Sequence, residues 1–133
     1  MATILLIGTD AALLEGLAQL LAGSGHSARI VQTMAEGRQL AAVYPPLAVL
    51  VETRLALEEP DVIPAPMARG GAVLLYRTDD SAPTVLPPAL QRLVLADLSL
   101  PLERHRLLTL IQRMADRALA TGRRDVPPEH HPR

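Results

Sequence analysis

The sequence predicts an α/β fold, a three-layer sandwich in which a parallel sheet of five strands is covered by helices on both faces. Three features predict it: short, continuous apolar runs, helical apolar stripes that alternate with them, and capping or turn residues at the junctions. Strands joined through helices make right-handed crossovers, and those crossovers make the sheet parallel. A chain of 133 residues fits one domain. It can remove roughly two-thirds of its unfolded surface from water and needs no metal or disulfide to hold a core.

Ile4 to Ile7 form the first apolar run and end at Gly8-Thr9-Asp10, the pattern of a doubly buried strand followed by a turn. Leu13, Leu14, Leu17, Leu20 and Leu21 then share one helical face, with Thr9 or Asp10 as N-cap and Gly23 or Gly25 as stop. Ala28 to Val31 is the second strand. Thr33-Met34-Ala35-Glu36 has the T-x-x-E form of a capping box and opens a helix to about Tyr44, where Pro45-Pro46 ends it. Leu47 to Val51, ending at Glu52, and Ala72 to Leu75, ending at Tyr76, are the third and fourth strands. Between them Pro60, Pro64 and Pro66 leave room for about one helical turn. Residues 78–90 carry Pro83, Pro87 and Pro88, so the fourth helix is also expected to be short or broken. Leu93 to Leu98 is the fifth strand, and Leu107, Leu108, Ile111, Met114, Ala115 and Ala118 mark the buried face of a long last helix. The domain is expected to span 1–120, and 121–133, with three prolines and no periodicity, to be a disordered tail.

Composition excludes several chemistries. Cys is absent, which removes thiolate metal sites, cysteine nucleophiles and disulfides. All 13 basic residues are Arg, so no step that needs a lysine ammonium can operate. The shortage of Lys, Asn, Phe and Trp beside abundant Leu, Ala, Pro and Arg reads as GC-rich coding bias and points to a bacterial source. A formal charge of −1 and a pI of 6.4 argue against a nucleic-acid footprint, and only Tyr44 and Tyr76 offer a ring for stacking. The first basic residue is Arg29, so no charged leader region is expected, and no apolar run approaches the ~18 residues of a membrane span. A cytoplasmic protein without membrane contact is expected.

In such sheets the functional crevice lies at the carboxyl ends of the strands. That directs attention to Gly8, Thr9, Asp10, Glu52, Thr53, Tyr76 and Arg77. Here the chain resembles the receiver domain of two-component response regulators. The segments that carry the resemblance are ILLIGTD at 4–10, PLAVLVE at 46–52, AVLLYR at 72–77 and LSLPL at 98–102. The resemblance implies a flavodoxin-like sheet of order 2-1-3-4-5. It also implies that Leu100-Pro101 corresponds to a lysine-proline step whose peptide bond is typically cis.

Receivers accept a phosphoryl group on an aspartate after the third strand. An acidic pair after the first strand holds Mg²⁺, and a hydroxyl after the fourth and a lysine after the fifth grip the phosphoryl oxygens. In this sequence the acidic pair becomes Gly8-Thr9, the aspartate Glu52, the hydroxyl position Tyr76 and the lysine Leu100. The fold and signalling context therefore carry over, and the phosphotransfer chemistry does not. No cofactor, bound metal or enzymatic activity is expected. Glu52 reads either as a built-in mimic of the phosphorylated state or, with better support, as a carboxylate paired with Arg54 or Arg77. Asp10 reads as an N-cap before a shifted metal ligand. Tyr76 is expected to fill the space of the phosphoryl site, its hydroxyl on water or a carboxylate.

Other candidates are weaker. Gly23-Ser24-Gly25-His26 follows a helix, so it is a helix stop before it is an anion loop. His130-His131 lies in the expected tail, and His105 is expected to face water between Arg104 and Arg106. On the last helix Arg106, Leu110, Arg113 and Arg117 form a stripe opposite the buried one, with Leu110 expected to be an exposed anchor for a protein partner or a second copy. The leading expectation is a stand-alone, degenerate receiver-like domain that signals by protein binding. The alternative is a flavodoxin-like sensor that takes a small ligand among Thr9, Glu52, Tyr76 and Arg77, with Asp10 and Thr53 at its rim.

Overall fold

The computed structural model describes residues 3–59, 63, 71–78 and 85–124. Five strands, β1 (Thr3–Ile7), β2 (Ser27–Val31), β3 (Ala48–Glu52), β4 (Ala72–Arg77) and β5 (Val94–Ser99), form one sheet of order β2-β1-β3-β4-β5. Every pairing is parallel, with Ile4 opposite Ala28 and Ala48, and Glu52 opposite Tyr76. The predicted fold class and strand order are both found.

The period-two alternation of each strand divides the core into two clusters. Ile4, Leu6, Leu50, Leu74 and Tyr76 face α1 (Ala11–Gly23) and α5 (Arg104–Arg124), where Leu14, Leu17, Leu21, Leu107, Ile111 and Met114 meet them. Leu5, Ile7, Val49, Val51, Val73 and Leu75 face α2 (Met34–Val43) and α3 (Thr53–Glu58), which supply Met34, Ala41 and Ala56. Each leucine fully removed from water on either face stabilises the fold by about 1.5–3 kcal/mol before chain entropy is counted.

The caps follow the sequence. Asp10 accepts from Leu13 N at 3.1 Å and starts α1 as its N-cap. Thr33 caps α2 by accepting from Glu36 N at 3.2 Å, while its hydroxyl donates to the Glu36 carboxylate at 3.1 Å. Alpha1 ends in a Schellman turn: Gly25 stands at φ 88°, its N–H reaches Ala22 O at 3.1 Å, and His26 N–H reaches Leu21 O at 2.9 Å. The left-handed residue folds the chain back on the helix, and His26 is carried inward to 6% exposure.

Alpha3 and α4 (Pro88–Leu93) have six residues each, as the proline density predicts. Pro60, Pro64, Pro66 and Pro83 lie outside the described residues. Beta5 departs from expectation. Leu93 closes α4, and the partners of Val73 and Leu74 are Val94 and Ala96, so Leu95 is an extra residue of a bulge and stands 53% exposed. The Leu100-Pro101 bond is cis, as the resemblance implies.

Two expectations about α5 need correction. The helix continues to Arg124, so 121–124 do not belong to an irregular tail; the rest of that tail lies outside the described residues. Leu110 is half-buried and packs against the cluster on the α1 and α5 face, so it is no exposed anchor. The apolar stripe of α5 is wider than its fully buried residues suggest. Arg106, Arg113 and Arg117 are exposed, as is His105.

Candidate functional site

The carboxyl ends of β1, β3 and β4 meet at a polar cleft of about 370 Å³, lined by Thr9, Asp10, Glu52, Thr53, Arg54, Tyr76, Arg77 and Thr78. All the strand-end residues proposed for the crevice except Gly8 line it.

Glu52 is the last residue of β3, held where a parallel strand stops and α3 begins. Its Oε1 accepts from Thr9 N at 3.1 Å and from Thr9 Oγ1 at 2.9 Å. Its Oε2 pairs with Arg54 Nη2 at 3.1 Å, and the same nitrogen donates to Thr9 Oγ1 at 3.3 Å. Backbone amide, hydroxyl and guanidinium thus close a ring around one carboxylate and tie β3 to the β1–α1 turn. The side chain of Glu52 is only 14% exposed, whereas Arg54 is 64% exposed and lids the pair from the solvent side. Of the two arginines expected as partners of Glu52, Arg54 is the one. Arg77 instead faces Asp97 on β5, with Nε 3.7 Å from Oδ2. Burial pushes the Asp97 carboxyl above its ordinary range, a shift that the Arg77 charge opposes and the Glu103 charge reinforces.

Tyr76, near the carboxyl end of β4, is fully buried. Its ring lies in the core cluster with Leu50 and Leu98, and its Oη sits over Gly8 so closely that a Cβ at residue 8 would collide with it. Such a Cβ would also lie 3.0 Å from Tyr76 Cζ and 3.5 Å from Glu52 Oε1. Glycine at 8 and tyrosine at 76 are therefore coupled: the ring stands in the space that a side chain at 8 would need. The expected carboxylate partner for the hydroxyl is not found. Tyr76 Oη is buried without a hydrogen-bond partner among the described residues. Burial, then the negative charges of Glu52 and Asp10, push its pKa far up, so the phenol stays protonated.

Thr53 is buried, and its hydroxyl donates to Tyr76 O at 3.0 Å, pinning the start of α3 to the end of β4. Leu100 is buried in the core and its N–H reaches Arg77 O at 2.9 Å. Asp10 spends its side chain on the helix cap, which leaves Glu52 as the carboxylate held among the strand ends of the described residues. Among the described residues no group of three or more His, Asp or Glu could hold a metal ion.

Sequence reasoning missed two arrangements. The Arg77–Asp97 pair joins residues on adjacent strands whose register includes the bulge at Leu95. The other is His26, whose Nε2 lies 3.2 Å from Gln112 Oε1 on α5. The glycine at 25 was the available signal, because a Schellman turn returns the next residue to the helix it ends.

No protein-family model matches this chain, and no curated protein matches it by sequence. Solved structures do. The pseudo-receiver domain of the CikA protein superposes with a TM-score of 0.59 at 19% identity, over 86% of this chain and 98% of that one. The signal receiver domain of a putative Luxo repressor protein from Vibrio parahaemolyticus gives 0.69 at 14% identity, over 95% and 98%. A putative response regulator from Chloroflexus aurantiacus gives 0.65 at 17%, over 85% and 96%. The chain has the fold shared by receiver and pseudo-receiver domains. No helix among the described residues is long and apolar enough to cross a membrane.

Proposed function

We propose that this chain is a degenerate receiver-like signalling domain that works by binding a protein, without aspartyl phosphorylation and without catalysis. The observation that carries the reading is the state of Glu52. Its carboxylate is already satisfied by Thr9 and Arg54, and Tyr76 fills the neighbouring space that a metal-binding side chain would need. A receiver switches because a phosphoryl group draws a hydroxyl and an ammonium toward it. Here the strand end is held in one arrangement by side chains the chain always carries, so the domain presents a constant surface. Glu52 does pull on a backbone amide and a hydroxyl, those of Thr9, which gives the phosphate-mimic reading some physical content. The hydroxyl and ammonium that a receiver would move are absent, and the ring around Glu52 is a static clasp.

The small-ligand alternative has less support. Of the two arginines lining the cleft, Arg54 is paired with Glu52 at 3.1 Å, and Arg77 stands 3.7 Å from Asp97, so an anion would compete with a carboxylate at either. The exposed arginine stripe of α5 offers a better contact, suited to an acidic face on a partner or on a second copy. Leu110 is half-buried against the core, so the informative change is reversal of charge at Arg113→Glu with Arg117→Glu. Both side chains are exposed, and folding should be unaffected by circular dichroism. Capture of partners from the native host and sedimentation of the purified chain should both lose a species. Unchanged capture together with unchanged mass would make the stripe a solvated face and overturn this mode of action.

A further inference from the structure

The sheet is open along β2. Beta2 pairs with β1, and among the described residues no strand pairs with its other side. Val31 O accepts from Gly8 N at 3.1 Å, so Val31 turns its backbone toward β1, and the alternation of a parallel strand turns Ser27 and Arg29 the same way. The N–H and C=O groups of Ala28 and Ile30 therefore point outward, where no described residue receives them.

The side chains alternate as well. Ala28 and Ile30 pack on the α1 and α5 face and Val31 on the α2 face, so Arg29 lies on the α2 side. Its guanidinium stacks on the ring of Tyr44, 3.8 Å from the centroid, and among the described residues no carboxylate pairs with it. Beside the stack an open groove of about 360 Å³ is lined by Val31, Leu40, Val43 and Tyr44 together with Glu36 and Gln39. Glu36 spends its carboxylate on the cap of α2. Val43 is 67% exposed and Tyr44 46%.

We propose that this edge takes an extended segment of a protein partner as an added strand, with a carboxylate opposite Arg29 and an apolar residue opposite Val31. Residues opposite one another on adjacent strands share a face. A Glu facing Arg29 thus meets the guanidinium, and the residue two positions on reaches the groove. A second copy of β2 fits less well. Antiparallel pairing over the whole strand would set Ala28 opposite Ile30 and Arg29 opposite Arg29 across the two copies, like charges face to face. A basic segment would meet the same repulsion. The proposal names a surface for the protein binding proposed above. It shares no residue with the strand-end clasp or the α5 stripe, so its failure leaves both of those tests standing.

The probes are the peptide Ac-Thr-Val-Thr-Glu-Thr-Val-Thr-NH2 and its counterpart with Lys in place of Glu, titrated into the ¹⁵N-labelled full chain at neutral pH and low salt. The Glu peptide should give saturable amide shifts at residues 27–31 and 39–44. It should also slow hydrogen exchange at Ala28 and Ile30, whose amides have no ladder partner without it. The Lys peptide should bind about fivefold more weakly, as an exposed charge pair allows. Arg29→Glu changes an exposed side chain and should reverse the order of the two peptides. No saturable shift, shifts without slower exchange at Ala28 and Ile30, or peptide affinities indifferent to Arg29→Glu would each overturn the assignment. So would protection of those two amides in the chain alone that grows with its concentration, because the edge would then belong to a second copy.

Discussion

Removing the hydroxyl of Tyr76 should make the protein more stable. The phenol oxygen is buried, meets no donor or acceptor among the described residues, and crowds the backbone of Gly8. An unsatisfied buried polar group costs about 1–3 kcal/mol relative to one that is paired. Tyr76→Phe deletes that oxygen and keeps the ring against Leu50 and Leu98, so a gain of about 1 kcal/mol is expected. Gly8→Ala acts in the opposite direction. Its Cβ must displace Tyr76 Oη, and the ring cannot swing away because the surrounding core is closed, so overpacking should cost about 1–3 kcal/mol. The two changes must couple. In the Tyr76→Phe background the alanine meets the ring carbon at 3.0 Å and Glu52 Oε1 at 3.5 Å, and its cost should fall by about 1 kcal/mol. Urea unfolding followed by far-ultraviolet circular dichroism measures all four proteins. With slopes of about 1–3 kcal/mol per molar, a change of that size moves the midpoint by roughly 0.3–1 M. A Tyr76→Phe protein destabilised by about 1 kcal/mol, or additive effects of the two changes, would show that the hydroxyl is bonded and that residues 8 and 76 are not in contact.

The same phenol makes the fold sensitive to alkali. Its folded pKa lies above the ordinary value of 10.0, so the stability it contributes is complete below that pH and is lost as pH rises through it toward the folded pKa; Tyr76→Phe should flatten the thermal-stability profile above about pH 10, and an unchanged profile would contradict the burial argument. Mg²⁺ should not bind the strand-end cleft, where Glu52 is already clasped and Asp10 caps a helix. Calorimetry showing a millimolar or tighter site that disappears in Glu52→Ala would refute this.

The architecture was legible because each strand is a short apolar run and the first two crossovers carry their own caps: Asp10 and Thr33 stand where their side-chain oxygens are needed, and the prolines shorten α3 and α4. The site was legible as a set of residue types and much less as a set of contacts. That Glu52 would meet an arginine followed from charge, but its tie to Thr9 spans 43 residues and depends on the spacing of two parallel strands. Arg77 went to Asp97 because the bulge at Leu95 sets which residues of β5 face it, and a bulge leaves no periodic trace in so apolar a run. Leu110 was misplaced for a related reason. A long helix packed on a sheet half-buries the flanks of its stripe, and Leu110 lies on such a flank beside Leu107 and Ile111.

The central claim is that the strand end is a fixed clasp unable to accept a phosphoryl group, and incubation with acetyl phosphate and Mg²⁺ followed by intact mass spectrometry tests it most directly. Phosphoryl transfer depends on positioning and charge stabilisation, and on the proposed receiver-like reading the metal-binding pair, the small hydroxyl and the lysine are all replaced. Because such groups act together, Glu52→Asp alone should not restore transfer. Wild type and variant are both predicted to keep their unmodified mass. A stoichiometric adduct of one phosphoryl group on wild-type Glu52 would contradict the account.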